Sequence, residues 1–103
     1  MERVVWTGTI LAGREAEYER RHREIWPEMV ENLKAQGISN YSIFRCGQNV
    51  IGYYECEDLV QMHRIKAANP AAARWAESME GIIEICKAGG AADGRYRQIF
   101  YLK

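Results

Sequence analysis

From residue 3 to residue 11 the run Arg-Val-Val-Trp-Thr-Gly-Thr-Ile-Leu divides into two alternating sets, Val4, Trp6, Gly8 and Ile10 against Val5, Thr7, Thr9 and Leu11. A two-residue period in β-branched and aromatic residues predicts a strand. Gly8 weakens such a strand and suggests that something large approaches the backbone there. After Ala12-Gly13 the pattern changes to Glu- and Arg-rich sequence, and a helix is expected from near residue 14. On it Tyr18 and His22 are four residues apart and stack on one face, with Ile25, Trp26 and Met29 continuing the stripe. Pro27 cannot donate a main-chain hydrogen bond, so either the helix kinks at Ile25-Trp26 or a second helix begins with Pro27 in its first turn. Both versions place Trp26 at a bend. Met29 and Leu33 carry the helical pattern to Gln36, where Gly37 is a ready terminator.

Residues 38 to 46 and 49 to 57 read as two further strands joined by a tight antiparallel turn at Gly47-Gln48. In the first of them Tyr41 and Ile43 share a face, opposite Asn40, Ser42 and Phe44. Asp58 suits the cap of a short helix through Leu59, Met62, Ile65 and Lys66. Asn69-Pro70 interrupts it, and Pro70 opens another helix whose stripe of Ala72, Trp75, Met79, Ile82, Ile83 and Cys86 faces the core. Lys87 to Gly94, with Gly89-Gly90 and Asp93-Gly94, is a loop by composition. Tyr96 to Leu102 is expected to return as the last strand. The order strand, helix, strand, strand, helix, strand fits a ferredoxin-like α+β sandwich, a four-stranded antiparallel sheet with helices on one face. All four expected strands carry apolar residues on both faces, and no segment remains to cover the second. Face-to-face homodimerisation, giving a dimeric α/β barrel, would cover it.

A chain of 103 residues makes one domain spanning 1–103 and buries roughly two thirds of its unfolded surface, too little for a separate core and a deep pocket together. This too favours a homodimer. Fourteen acidic residues balance fourteen basic ones, so no overall field attracts nucleic acid or an anionic membrane. The three cysteines, Cys46, Cys56 and Cys86, are scattered and lack the pairing of a zinc or redox motif. They read as small apolar fillers in a reducing compartment. No basic-then-apolar leader precedes Val4-Val5-Trp6 and no apolar run reaches membrane-spanning length, so the cytoplasm is the expected location.

Chemistry concentrates in Tyr18-Glu19-Arg20-Arg21-His22-Arg23-Glu24-Ile25-Trp26-Pro27-Glu28. A histidine on an otherwise apolar stripe has two readings: a core imidazole satisfied by a carbonyl or water, or a group facing a ligand in a cavity, where it can pass protons near neutral pH. By pattern alone Trp75 belongs to the core and Trp26 beside Pro27 is a packing anchor or a pocket wall. His63 reads as solvent-exposed and without a role. Arg20 and Arg21 read as surface ion-pairing partners of the neighbouring glutamates, with orientation of a carboxylate near the pocket as the other option.

The motif Tyr18-x-x-x-His22-x-x-Ile25-Trp26-Pro27-Glu28, with Asn40-Tyr41, Arg74-Trp75 and the closing Ile99-Phe100-Tyr101-Leu102, closely resembles the L-rhamnose mutarotase family over essentially the whole chain. The resemblance implies a dimer of ferredoxin-like subunits that interconverts the α and β anomers of a free 6-deoxyhexose without a metal or organic cofactor. It implies His22 as the proton donor and Tyr18 and Tyr41 as sugar contacts. Trp75 matches the first of two adjacent tryptophans that wall the pocket, while Ala76 replaces the second and reshapes that wall. L-Fucose is therefore an alternative sugar. A cofactor-free or haem-degrading monooxygenase on the same dimeric fold, and a non-catalytic sugar-binding module, are the readings from other classes; fold alone does not separate them. A histidine and tyrosines suit a hydroxylated ligand better than a flat aromatic one, and a pure binder has less need of a proton donor.

Overall fold

The computed structural model describes residues 1–86 and 96–103; the expected loop Lys87 to Gly94 lies outside the described residues. Four strands, β1 (Glu2–Ile10), β2 (Ile38–Cys46), β3 (Asn49–Cys56) and β4 (Ile83–Cys86), pair antiparallel in the order β2-β3-β1-β4. Four helices follow in two consecutive pairs, α1 (Glu15–Arg23) with α2 (Pro27–Ala35), and α3 (Leu59–Ala68) with α4 (Pro70–Ser78). The α+β arrangement is the expected one. Each expected helical region is split in two, for a local reason in each case.

Trp26 adopts an extended conformation (φ −62°, ψ 136°) ahead of Pro27, which takes the first helical position of α2. Proline's ring excludes the helical region from the residue before it, so α1 stops and α2 starts afresh. The second of the two Pro27 expectations is the one realised. Asn69 does the same between α3 and α4, its side chain accepting from the Ala71 N–H at 2.8 Å ahead of Pro70. Asp58 caps α3 as expected, accepting from the Gln61 N–H at 3.1 Å.

Two expectations are corrected. The stripe from Ala72 to Cys86 is not one helix, because α4 ends at Ser78 and the turn that follows contains Gly81 at φ +78°. That left-handed position is one glycine tolerates and most residues avoid. Beyond it Ile83–Cys86 is the fourth strand, pairing with β1 from Thr7↔Cys86 to Ile10↔Ile83. Tyr96 to Leu102 accordingly forms no strand. β4 occupies the outer side of β1 over Thr7 to Ile10. The tail lies instead near the start of β1, where Arg3 stacks over the Tyr101 ring at 4.1 Å and donates to Gln98 at 3.2 Å.

Ile10, Tyr18, Val50, Met79 and Ile82 form the buried core between sheet and helices, with Trp6, Ile43, Trp75 and Ile83 packed against it. Gly8 is buried beneath Ile83, whose side chain would lie about 3.0 Å from a Cβ there. The large neighbour inferred from the sequence is this isoleucine. On the sheet face away from the helices, Phe44 and Ile51 are 62% and 45% exposed. With Thr7, Thr9, Cys46, Asn49 and others they line an open concavity of about 350 Å³. Among the described residues, no helix is long and apolar enough to cross a membrane.

Candidate active site

Tyr18 is buried at the heart of the core, and α1 carries its consequence one turn further. His22, four residues on, is half-buried with its ring centroid 4.4 Å from that of Tyr18. Its Nδ1 lies 2.9 Å from the Tyr18 main-chain carbonyl. A carbonyl oxygen can only accept, so the proton of this hydrogen bond belongs to Nδ1. In the neutral ring the lone pair is therefore at Nε2. One ring nitrogen is thus satisfied by the backbone, as the core-imidazole reading expects.

The neighbouring walls come from α4 and the break before α2. Trp75 meets His22 edge-on at 5.5 Å and 88°, and Trp26 meets Trp75 edge-on at 5.2 Å and 89°. Such perpendicular contacts are favourable for aromatic quadrupoles and present ring faces at an angle to one another. Arg21 fixes the helix carrying His22 against the helix carrying Trp75: its Nη1 donates to the Ser78 carbonyl at 2.8 Å, while its Nε donates to Glu17 at 3.0 Å. That bond, with help from Arg20 and opposed by partial desolvation, holds the Glu17 carboxyl below its ordinary range. Arg20 pairs with Glu17 and Glu24 at the surface. Arg74 pairs with Glu28 at 2.7 Å between α4 and α2. Ala76 is exposed on α4, where its methyl offers no wall comparable to Trp75. His63 is exposed, as expected.

Tyr41 reaches the same neighbourhood from the sheet. Between Ser39↔Glu55 and Ser42↔Tyr53 the ladder of β2 is irregular. A bulge sets Asn40 and Tyr41 against Tyr54, and Asn40 takes the left-handed φ of +50° that asparagine accepts more readily than most residues. Asn40 then donates to Glu55 at 2.7 Å, Tyr53 donates to the other Glu55 oxygen at 2.7 Å, and both bonds draw the Glu55 carboxyl down. The Tyr41 ring meets that of Tyr54 at 5.1 Å, and its hydroxyl accepts from Trp6 Nε1 at 3.0 Å. Its ring is 37% exposed, yet the surroundings of the hydroxyl desolvate the phenolate. Its pKa is pushed up to about 12 against a smaller opposing effect of the Trp6 donor. Burial raises the Tyr18 phenol still further, with a small added push from Tyr41. Neither can act as a base near neutral pH.

Sequence reasoning thus names Tyr18, His22, Trp26, Tyr41 and Trp75, which the fold gathers, and misses Trp6, Tyr54 and Arg21 as their supports. Trp6 stands directly across the ladder from Gly52, a place for the ring to lie on the backbone, and that register comes only with the fold. The concavity on the open sheet face lies away from His22. Among the described residues no three of His, Cys, Asp or Glu converge on a metal-ligand geometry.

A family model described as L-rhamnose mutarotase matches residues 3–102. An L-rhamnose mutarotase of Opitutus terrae is 38% identical over 104 aligned positions, covering 99% of each chain. One of Listeria monocytogenes serovar 1/2a is 35% identical with the same coverage. The crystal structure of L-rhamnose mutarotase from Formosa agariphila superimposes over all of both chains with a TM-score of 0.76 at 23% identity, which supports the fold.

Proposed function

The chain belongs to the L-rhamnose mutarotase family, and from that premise we propose that it interconverts the α and β anomers of free L-rhamnose by opening and closing the pyranose ring. The observation that carries the site assignment is the His22 hydrogen bond. With Nδ1 committed to the Tyr18 carbonyl at 2.9 Å, Nε2 is the nitrogen that gives and takes a proton. As the C1–O5 bond breaks, the Nε2–H of the doubly protonated ring protonates the ring oxygen, leaving the neutral imidazole, and the anomeric hydroxyl releases its own proton to water, leaving the C1 aldehyde. Rotation about C1–C2 exposes the other carbonyl face. The C5 hydroxyl attacks it, returns its proton to Nε2, and the new anomeric oxygen is protonated from water. Positioned proton transfer of this kind contributes about 10²- to 10⁴-fold.

The tyrosines hold the sugar and do not take its proton, since burial keeps both phenols protonated well above neutrality. Trp75 and Trp26 offer apolar faces to the C–H side of the ring and its methyl group. The chain works as a homodimer, for which Phe44 and Ile51 on the uncovered sheet face are the supporting observation. Three free thiols suit a reducing cytoplasm. Ala76 favours keeping L-fucose as a second substrate, because a methyl on the exposed side of α4 leaves more room than an indole.

Saturation-transfer NMR on L-rhamnose and L-fucose at anomeric equilibrium tests the proposal, following magnetisation between the two anomeric protons. Accelerated transfer with the folded protein is the expected result, and the faster sugar identifies the substrate. No acceleration with either would sink the reaction and return the oxygenase and binding-module readings.

A further inference from the structure

Trp6 and Tyr41 share one hydrogen bond, and its direction is fixed by chemistry. An indole nitrogen has a proton and no lone pair to offer, so at 3.0 Å the Tyr41 oxygen is the acceptor. Its own proton must then point elsewhere. The indole reaches this position because the residue across the ladder is Gly52: a Cβ there would overlap Cε2 and Nε1 of Trp6. Any other residue at 52 displaces the ring or is displaced by it. The Tyr54 ring, 5.1 Å from that of Tyr41, flanks the phenol and limits how it can swing.

We propose that Trp6, seated on Gly52, is a positioning residue that commits the Tyr41 hydroxyl to donate a hydrogen bond to an oxygen of the bound deoxyhexose. The inference rests on the sugar-binding reading above and adds to it the polarity of one contact. A hydroxyl that accepts one hydrogen bond becomes a better donor for another. Phenylalanine at position 6 would fill the same space and leave Tyr41 free to present either a proton or a lone pair. The donor role discriminates among sugars by the orientation of the oxygen that receives it.

The test is a double-mutant cycle on catalysed anomer exchange with W6F, Y41F and the double variant, each first checked for folding by thermal denaturation. W6F is expected to lower kcat/KM about 2- to 10-fold, the range of one neutral hydrogen bond, and to have no further effect in the Y41F background. Packing alone would give additive losses and overturn the inference. G52A, which pushes the indole off its seat, is expected to reproduce W6F. In parallel, the Trp6 indole N–H signal, assigned by its absence from W6F, should shift in Y41F and should move on saturation with L-rhamnose in wild type only. If W6F does not fold, one of the three wild-type indole signals must still respond to both Y41F and sugar; none responding overturns the inference. An active wild type with additive losses defeats this inference alone, whereas a wild type without exchange activity defeats the mutarotase reading and this inference with it.

Discussion

Arg21 donates from Nη1 to the carbonyl of Ser78 across 2.8 Å, so the residue preceding His22 is tied to the end of the helix that carries Trp75. The C-terminus of a helix has carbonyls without internal partners and a partial negative charge, and a guanidinium satisfies both. Lysine can supply the charge without the fork that also reaches Glu17.

R21K is therefore expected to lose about 1 kcal/mol in urea denaturation, a charge-assisted bond discounted for its partial exposure. R21M should lose more. Because Glu17 is held low chiefly by Arg21, its contribution is present at neutral pH and lost as pH falls through the acid range. R21M should accordingly flatten part of the decline of the urea midpoint below pH 4.5. An unchanged midpoint in both variants would show that the clamp carries no stability.

H22A should fold and melt close to the wild type while losing about 10²- to 10⁴-fold in catalysed exchange, read by saturation transfer. His22 is only half-buried and bonded to its own helix, so its removal leaves no partner stranded in another element. A variant that unfolds would instead make the imidazole a structural group.

Tyr18 and Tyr41 both have folded pKa values above the ordinary 10.0, Tyr41 at about 12. An acid that holds its proton more tightly in the folded chain favours unfolding as pH rises. Their contribution is complete below about pH 10 and is lost as pH climbs through 10 towards 12. The urea midpoint should fall across that window, less steeply in Y41F. Equal slopes would show that the Tyr41 phenol is not desolvated.

Asn32 in α2 and Gln36 at its C-terminal cap are buried one turn apart, with Gln36 Nε2 donating to Asn32 Oδ1 at 2.5 Å and Asn32 Nδ2 meeting no acceptor among the described residues. N32L alone strands the Gln36 amide and should cost about 1–3 kcal/mol, whereas replacing both by leucine should recover most of that loss. Additive losses in chemical denaturation would refute the pairing.

How far these features were readable from the chain depends on how local their causes are. The helix breaks at Pro27 and Pro70, the cap at Asp58 and the turn at Gly47-Gln48 each arise within four residues, and the sequence announces them. The fourth strand was misplaced because Ile82, Ile83 and Cys86 continue a helical spacing from Ala72; the left-handed Gly81 cancels that spacing. Of the site, Tyr18, His22 and Trp26 were legible through one helical face and one proline. Trp75 needed the family resemblance, since its pattern was that of core. The Trp6 contact depended on which strand lies beside which, a pairing between positions far apart that no local period carries.

The strand order β2-β3-β1-β4 also has a consequence for the order of events in folding. β1 is synthesised before the other three strands of the sheet and is an inner one. One edge has no partner until residues 49–56 exist, and the other waits for residues 83–86. During synthesis β1 emerges with both edges unpaired, and loops of roughly 40 and 75 residues must close before Thr7 to Ile10 has a strand on each side. α1 and α2 can form early from local contacts, but the seat of Trp6 on Gly52 cannot. Recovery of catalytic competence should therefore trail the appearance of helix during refolding, with its pace set by long-range closure around the amino-terminal strand.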